Sequence, residues 1–213
     1  MANGAGGSIT PFFTIWTEPR ATIRRIVEAD PKRNVIALAA IGPAVGALAR
    51  QWSAALDSNA NLSALWPIEV AFRVVFAAVL GVVSIYISSV ILRWSGGLLG
   101  GVASRVEMRA ALAWTQVPAI TAEIVLLIAV LSGIPIPKPA DVVALQIDPA
   151  FYKVGVIEGV LAIWGSIVGV YCIAEVHRFS AWRAFCATLI PAVIAIVVVG
   201  VVVFVLYALV GNH

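Results

Sequence analysis

The chain alternates long apolar runs with short polar stretches rich in glycine and proline. Five runs are long enough to cross a bilayer as helices: residues 34–55, 67–92, 110–131, 154–174 and 184–210. About 20 apolar residues suffice for one crossing. The pattern before the first run is different. There Phe12, Phe13, Ile15 and Trp16 precede Ile23, Ile26 and Val27, which recur at helical spacing between Arg20, Arg24, Arg25, Lys32 and Arg33. This spacing predicts a short amphipathic helix capped by Thr17 or Glu18, with Pro19 at its first position. A basic amphipathic helix led by aromatic residues is expected to lie on the membrane surface, with Phe12, Phe13, Trp16, Arg20, Arg24 and Arg25 as its contacts. The competing expectation is a solvated connector that only sets topology. The pattern as a whole predicts an all-α polytopic membrane protein, with an N-terminal segment over 1–33 and a single five-helix membrane domain over 34–210.

The connecting stretches add detail. Residues 1–8 are small and glycine-rich, a composition that predicts disorder. The connector 57–66 has no Lys or Arg. The loop 132–153 carries Pro135, Pro137, Pro139 and Pro149 and is expected to be stiff, with a short interfacial helix at 141–147. Three pairs of glycines four residues apart, Gly42/Gly46, Gly155/Gly159 and Gly165/Gly169, are candidate sites of close helix packing. Pro43 is expected to kink the first span. The last span is valine-rich and reads as lipid-facing.

Composition supports the membrane class. The chain is 62% hydrophobic and 12% charged, against about 25% charged residues in soluble domains. The net charge of +3 matters less than its placement. Arg20, Arg24, Arg25, Lys32, Arg33, Arg93, Arg105, Arg109, Arg178 and Arg183 fall on one side of the five spans, and Arg50, Arg73, Lys138 and Lys153 on the other. The excess of positive charge on cytoplasmic loops then predicts a cytoplasmic N-terminus and an outside C-terminus.

Candidate chemistry is sparse. Cys172 and Cys186 lie inside apolar runs and read as buried free thiols. No cofactor or metal site is expected, since there is no Cys/His cluster. No HExxH, GxSxG or P-loop pattern is present, so an enzyme is not expected. Glu175 and His177 lie close together at an interface and read as solvated side chains rather than an acid/base pair. The basic residues sit where topology and anionic headgroups account for them, so no nucleic-acid partner is expected. The expected partners are the lipid bilayer and either a second copy of the chain or another membrane protein.

Charges at membrane depth are the most specific signal, because each costs roughly 2.5–3.5 kcal/mol to insert. Counting from the span ends at about 1.5 Å per residue, Glu123 lies roughly 20 Å in from the cytoplasmic side. Glu158 lies roughly 6 Å below the outer end of its span by the same count, and Arg73 about as deep. All three reach a common level in the outer leaflet, and Arg73 is the expected partner of the acids. One reading makes Arg73, Glu123 and Glu158 a polar pocket or ion path. The other makes them a cluster that fixes helix register. A path would have to continue through Thr115, Gln116 and Ser166.

The five spans and the predicted topology resemble the Yip family, polytopic proteins first known as interactors of Ypt/Rab GTPases. The stretch TIWTEPRATIRRIVEADPKRN is similar to that family's amphipathic lead-in. The stretch GGLLGGVASRVEMRAALAWTQVP is similar to its glycine-rich turn followed by an aromatic and a proline, here Trp114 and Pro118. The stretch EGVLAIWGSIVGVYCIAEVHRFSAWRAF resembles the hairpin between spans four and five of bacterial members. The resemblance implies a non-enzymatic integral membrane protein that organises membrane or binds partners. It supplies no catalytic residues. The alternative is a small oligomeric transporter or channel using the charged cluster.

Overall fold

The computed structural model describes residues 10–56, 64–134, 136–137 and 148–210. The expected disorder of 1–8, most of the 57–66 connector, Lys138 and the expected helix at 141–147 lie outside them. Among the described residues every regular element is a helix: α1 (Thr10–Thr14), α2 (Pro19–Ala29), α3 (Val35–Ala55), α4 (Trp66–Leu98), α5 (Arg105–Trp114), α6 (Gln116–Leu131), α7 (Pro149–His177) and α8 (Ala181–Val210). With α5 and α6 taken as one crossing, five helices are long and apolar enough to span a membrane. The protein is therefore an all-α, multi-pass integral membrane protein. The end of the bundle that carries α2 is called the basic end below, and the opposite one the far end.

Local chemistry sets the helix boundaries. Pro19 opens α2, preceded by Glu18. Ser104 and Glu107 form a reciprocal capping box: the Ser104 hydroxyl accepts from the Glu107 amide at 3.2 Å, and the Glu107 carboxylate accepts from the Ser104 amide at 2.7 Å. Two free amides are thereby satisfied, and the helix begins at Arg105, earlier than the apolar run suggests. The third crossing is not one helix over 110–131. It breaks at Thr115 because Pro118 has no N–H for the Trp114 carbonyl and its ring crowds that oxygen. Asp148 caps α7, accepting from the Ala150 amide at 2.6 Å.

The centre of the bundle is α3, which packs between α4 and α6. Pro43 leaves the carbonyl of Ala39 without its helical donor. Gly81 of α4 lies directly against that carbonyl and against the Pro43 ring, where a Cβ would collide. On the other side of α3, Gly42 faces Ile120 of α6. Behind α6 comes α7, and α8 closes against α4 and α7. The main core lies toward the basic end, around Ile15, Ile23, Met108, Trp114 and Val168. A smaller one at the far end holds Ala49, Leu126, Val130 and Val154. Large apolar side chains on the outer faces of α4, α7 and α8 remain exposed, among them Phe72, Ile163 and Val197. Such a continuous apolar surface meets lipid, not water.

Candidate functional site

A groove of about 920 Å³ runs along α6 and α7, from Ile136 and Phe151 at the far end to Phe185 and Thr188 toward the basic end. Its far half is charged. Arg50 of α3, Glu123 of α6 and Glu158 of α7 all line it. Arg50 Nη2 lies 3.7 Å from Glu123 Oε1. The approach depends on Gly46, one turn before Arg50, since a Cβ there would enter the Glu123 carboxyl. The second carboxylate oxygen, Oε2, is buried and accepts no hydrogen bond. Glu158 stands within electrostatic reach of both Arg50 and Glu123.

The remaining wall is mostly apolar, with polar side chains continuing toward the basic end. Thr115 and Gln116 sit at the α5–α6 break, Ser166 on α7 and Thr188 on α8. The three hydroxyls donate to backbone carbonyls of their own helices, Thr115 to Leu112 at 2.8 Å, Ser166 to Ala162 at 2.9 Å and Thr188 to Phe185 at 2.7 Å. Their protons are thus engaged, and they offer lone pairs to anything in the groove.

Arg73 is not part of this arrangement. Its Nη1 donates to Gln51 Oε1 at 3.1 Å, on the opposite side of α3. Gln51 and Arg50 are consecutive, so they point about 100° apart on a helix of 3.6 residues per turn. One serves α4 and the other α6. The ion pair expected of Arg73 is made instead by Arg50, a residue that enters the sequence reading only as one of the few positive charges on the outer side. The glycine pairs also divide. Gly165 contacts Pro118 and Gly169 faces Thr115, so this pair packs on the α5–α6 break. Gly42 and Gly46 face α6, while a Cβ on Gly155 or Gly159 would meet nothing within 4 Å among the described residues.

The N-terminal helices do not present their apolar side to the bilayer surface. Ile15, Thr22, Ile23 and Ile26 are buried, and α2 packs on α5 and α7. The Phe12 ring lies 4.9 Å from that of Trp114, tilted by 50°, and the Trp16 carbonyl accepts from Trp164 Nε1 at 3.2 Å. Arg24 pairs with Glu175 at 2.6 Å, which raises the guanidinium's pKa above its ordinary value. Arg20 lies over the Tyr171 ring at 5.5 Å, and Arg25 reaches Glu18 at 3.4 Å. Of the expected surface contacts Phe13, Arg24 and Arg25 stay exposed, while Phe12, Trp16 and Arg20 are half-buried. Helical spacing identifies an apolar face correctly, but whether lipid or protein covers it depends on residues more than a hundred positions away.

His177 is likewise not a solvated interface residue. It is buried, stacked at 4.9 Å on Phe179, and its Nδ1 accepts from the Ala103 amide at 3.4 Å. Gly96 and Gly101 bracket the ring, and a Cβ on either would overlap it. The glycine-rich turn between α4 and α5 is therefore shaped around a histidine from α7. Gly100, at φ +83°, completes the turn in a backbone region that favours glycine. Glu175 and His177 do not meet as an acid/base pair, since Glu175 turns outward to Arg24.

Fold and groove together define a five-crossing membrane protein with a docked amphipathic lead-in and an open cleft with charged residues on its wall. Residues 13–204 match the model of the Yip1 domain, and the chain belongs to that family. No curated protein and no solved structure matches it.

Proposed function

We propose that this chain is a non-enzymatic Yip-type protein of a bacterial plasma membrane that acts by holding a membrane-embedded partner in the groove along α6 and α7. Its N-terminus lies in the cytoplasm and its C-terminus outside. The observation that carries the reading is the groove itself, a cleft within the membrane-spanning region with Arg50, Glu123 and Glu158 on its wall. Charges at that depth are costly unless paired, and an open cleft lets a ligand complete the pairing. The orientation is supported by the positive charge gathered on α2, on the α4–α5 turn and at the α7–α8 turn.

The test is photocrosslinking in native membranes from a benzophenone side chain at Ser166, inside the groove, with Val197 on the exposed face of α8 as control. Ser166 should yield a discrete adduct that Glu158→Gln removes, and Val197 should not. Identical adduct patterns from the two positions would defeat the reading.

A transport role is favoured by one further observation, the polar side chains of Thr115, Gln116, Ser166 and Thr188 on the wall that carries the acids. Proton or cation flux in proteoliposomes that disappears in Glu123→Gln and Glu158→Gln would establish it. Flux unchanged by both substitutions would remove it.

A further inference from the structure

We propose that the groove binds a phospholipid whose headgroup carries a primary amine, with the phosphate on Arg50, the ammonium between Glu158 and Glu123, and an acyl chain along α7. The inference rests on the groove being a binding site and names its ligand.

Charge balance comes first. Two carboxylates and one guanidinium line the far half, and among the described residues no other cation lines the groove. Glu158 makes no ion pair among the described residues. An unpaired carboxylate at membrane depth is costly, and a positive group on a ligand relieves that cost. Arg50 keeps donors to offer. Its ion pair with Glu123 is long, at 3.7 Å, and its side chain is 55% exposed. Among the described residues the rest of the guanidinium fork, which suits phosphate oxygens, is open to a ligand. A ligand that brings one anion and one hydrogen-bonding cation side by side satisfies both residues at once. A headgroup ending in a primary ammonium does so with three N–H donors. A quaternary amine has the charge without the donors, and a glycerol headgroup has hydroxyl donors without the positive charge.

Position and length agree. Arg50 stands two residues from Trp52, whose ring lies 6.3 Å from that of Trp66. Such aromatics mark the membrane interface. The charged cluster thus lies at or just below headgroup level. From Glu158 to Ile173 the groove follows 15 residues of α7, roughly 22 Å at the helical rise. That exceeds the roughly 15 Å of hydrocarbon in one leaflet. The small, exposed Ala162 lines this stretch and leaves room for a chain.

The experiment uses the full chain in phosphatidylcholine nanodiscs doped with photoactivatable lipids of identical acyl chains: phosphatidylethanolamine, phosphatidylcholine or phosphatidylglycerol. Adducts are located by peptide mass spectrometry. The ethanolamine lipid should label the groove walls of α6 and α7 about tenfold over the other two, the worth of one charge-assisted hydrogen bond. Glu158→Gln, which keeps shape and removes charge, should abolish that preference. Ala162→Phe should reduce groove labelling by all three lipids while leaving the charges in place. Equal labelling of the groove by the three lipids would overturn the headgroup assignment and leave the groove as a binding site. Labelling no denser in the groove than on the exposed face of α8 would overturn both.

Discussion

His177 fills the space that a side chain on Gly96 would need. The two residues lie 81 positions apart in the chain, and the turn between α4 and α5 is built on their contact. Gly96→Ala should destabilise the protein by about 1–3 kcal/mol, the usual cost of overpacking a closed core. His177→Ala should be destabilising as well, through the cavity it leaves. The double variant should lose less than the two singles combined, because truncating the ring removes the clash and the added methyl fills part of the cavity. Thermal unfolding of the purified protein in detergent measures all three. Strict additivity would mean that the ring moves aside.

Arg50 and Arg73 should differ sharply. Arg50→Gln leaves Glu123 at membrane depth without its cation, at about 1–3 kcal/mol. Arg73→Gln removes one hydrogen bond to Gln51 and should cost about 1 kcal/mol or less. Chemical unfolding of the two variants side by side distinguishes them. A larger loss for Arg73 would return the ion pair to α4.

Gly46→Ala should act through the same pair. The added methyl group intrudes on the Glu123 carboxyl, so the variant should lose about 1–3 kcal/mol of stability. In a Glu123→Ala background the same change should cost less, since the carboxyl is gone and only the flexible end of Arg50, which a Cβ would also crowd, has to shift. The relevant measurement is the difference between the two backgrounds.

The docking of α2 is a contact within the protein and should survive without a bilayer. Ile23→Ala empties a fully buried site and should cost about 2–4 kcal/mol in detergent micelles. Limited proteolysis after Thr17 should rise in parallel, and Arg24→Ala should raise it more weakly. Stability unaffected in micelles would mean that lipid, not α5 and α7, holds this helix.

Cys172 reports on the same docking. Its sulfur lies beneath α2, 3.9 Å from the Pro19 carbonyl, while Cys186 is only half-buried. N-Ethylmaleimide should modify Cys186 first and leave Cys172 protected. Ile23→Ala should make Cys172 reactive, read as a second mass increment in the intact protein.

Much of this was legible in the chain alone. Runs of apolar residues long enough for a bilayer determine five crossings, because a backbone in hydrocarbon must satisfy its hydrogen bonds within its own helix. The start of α2 at Pro19 follows from local chemistry, and the SRVE capping box at 104–107 was there to be read as the start of α5. So were the acids at membrane depth, Glu123 and Glu158, whose cost marks them wherever they fall. The partner choices were not legible. Whether Arg50 or Arg73 meets Glu123 depends on which side of α3 faces α6, and periodicity does not settle that for a helix apolar nearly all round. That the apolar face of α2 covers α5 and α7, and that His177 rather than water fills the glycine turn, depend on residues brought together from distant parts of the chain. Sequence by itself determined the helices and their crossings, because those are local sums of hydrophobicity and hydrogen bonding. Only the tertiary structure decided which charge meets which and where the groove opens, because those are set by the rotation and crossing of helices that share no local sequence signal.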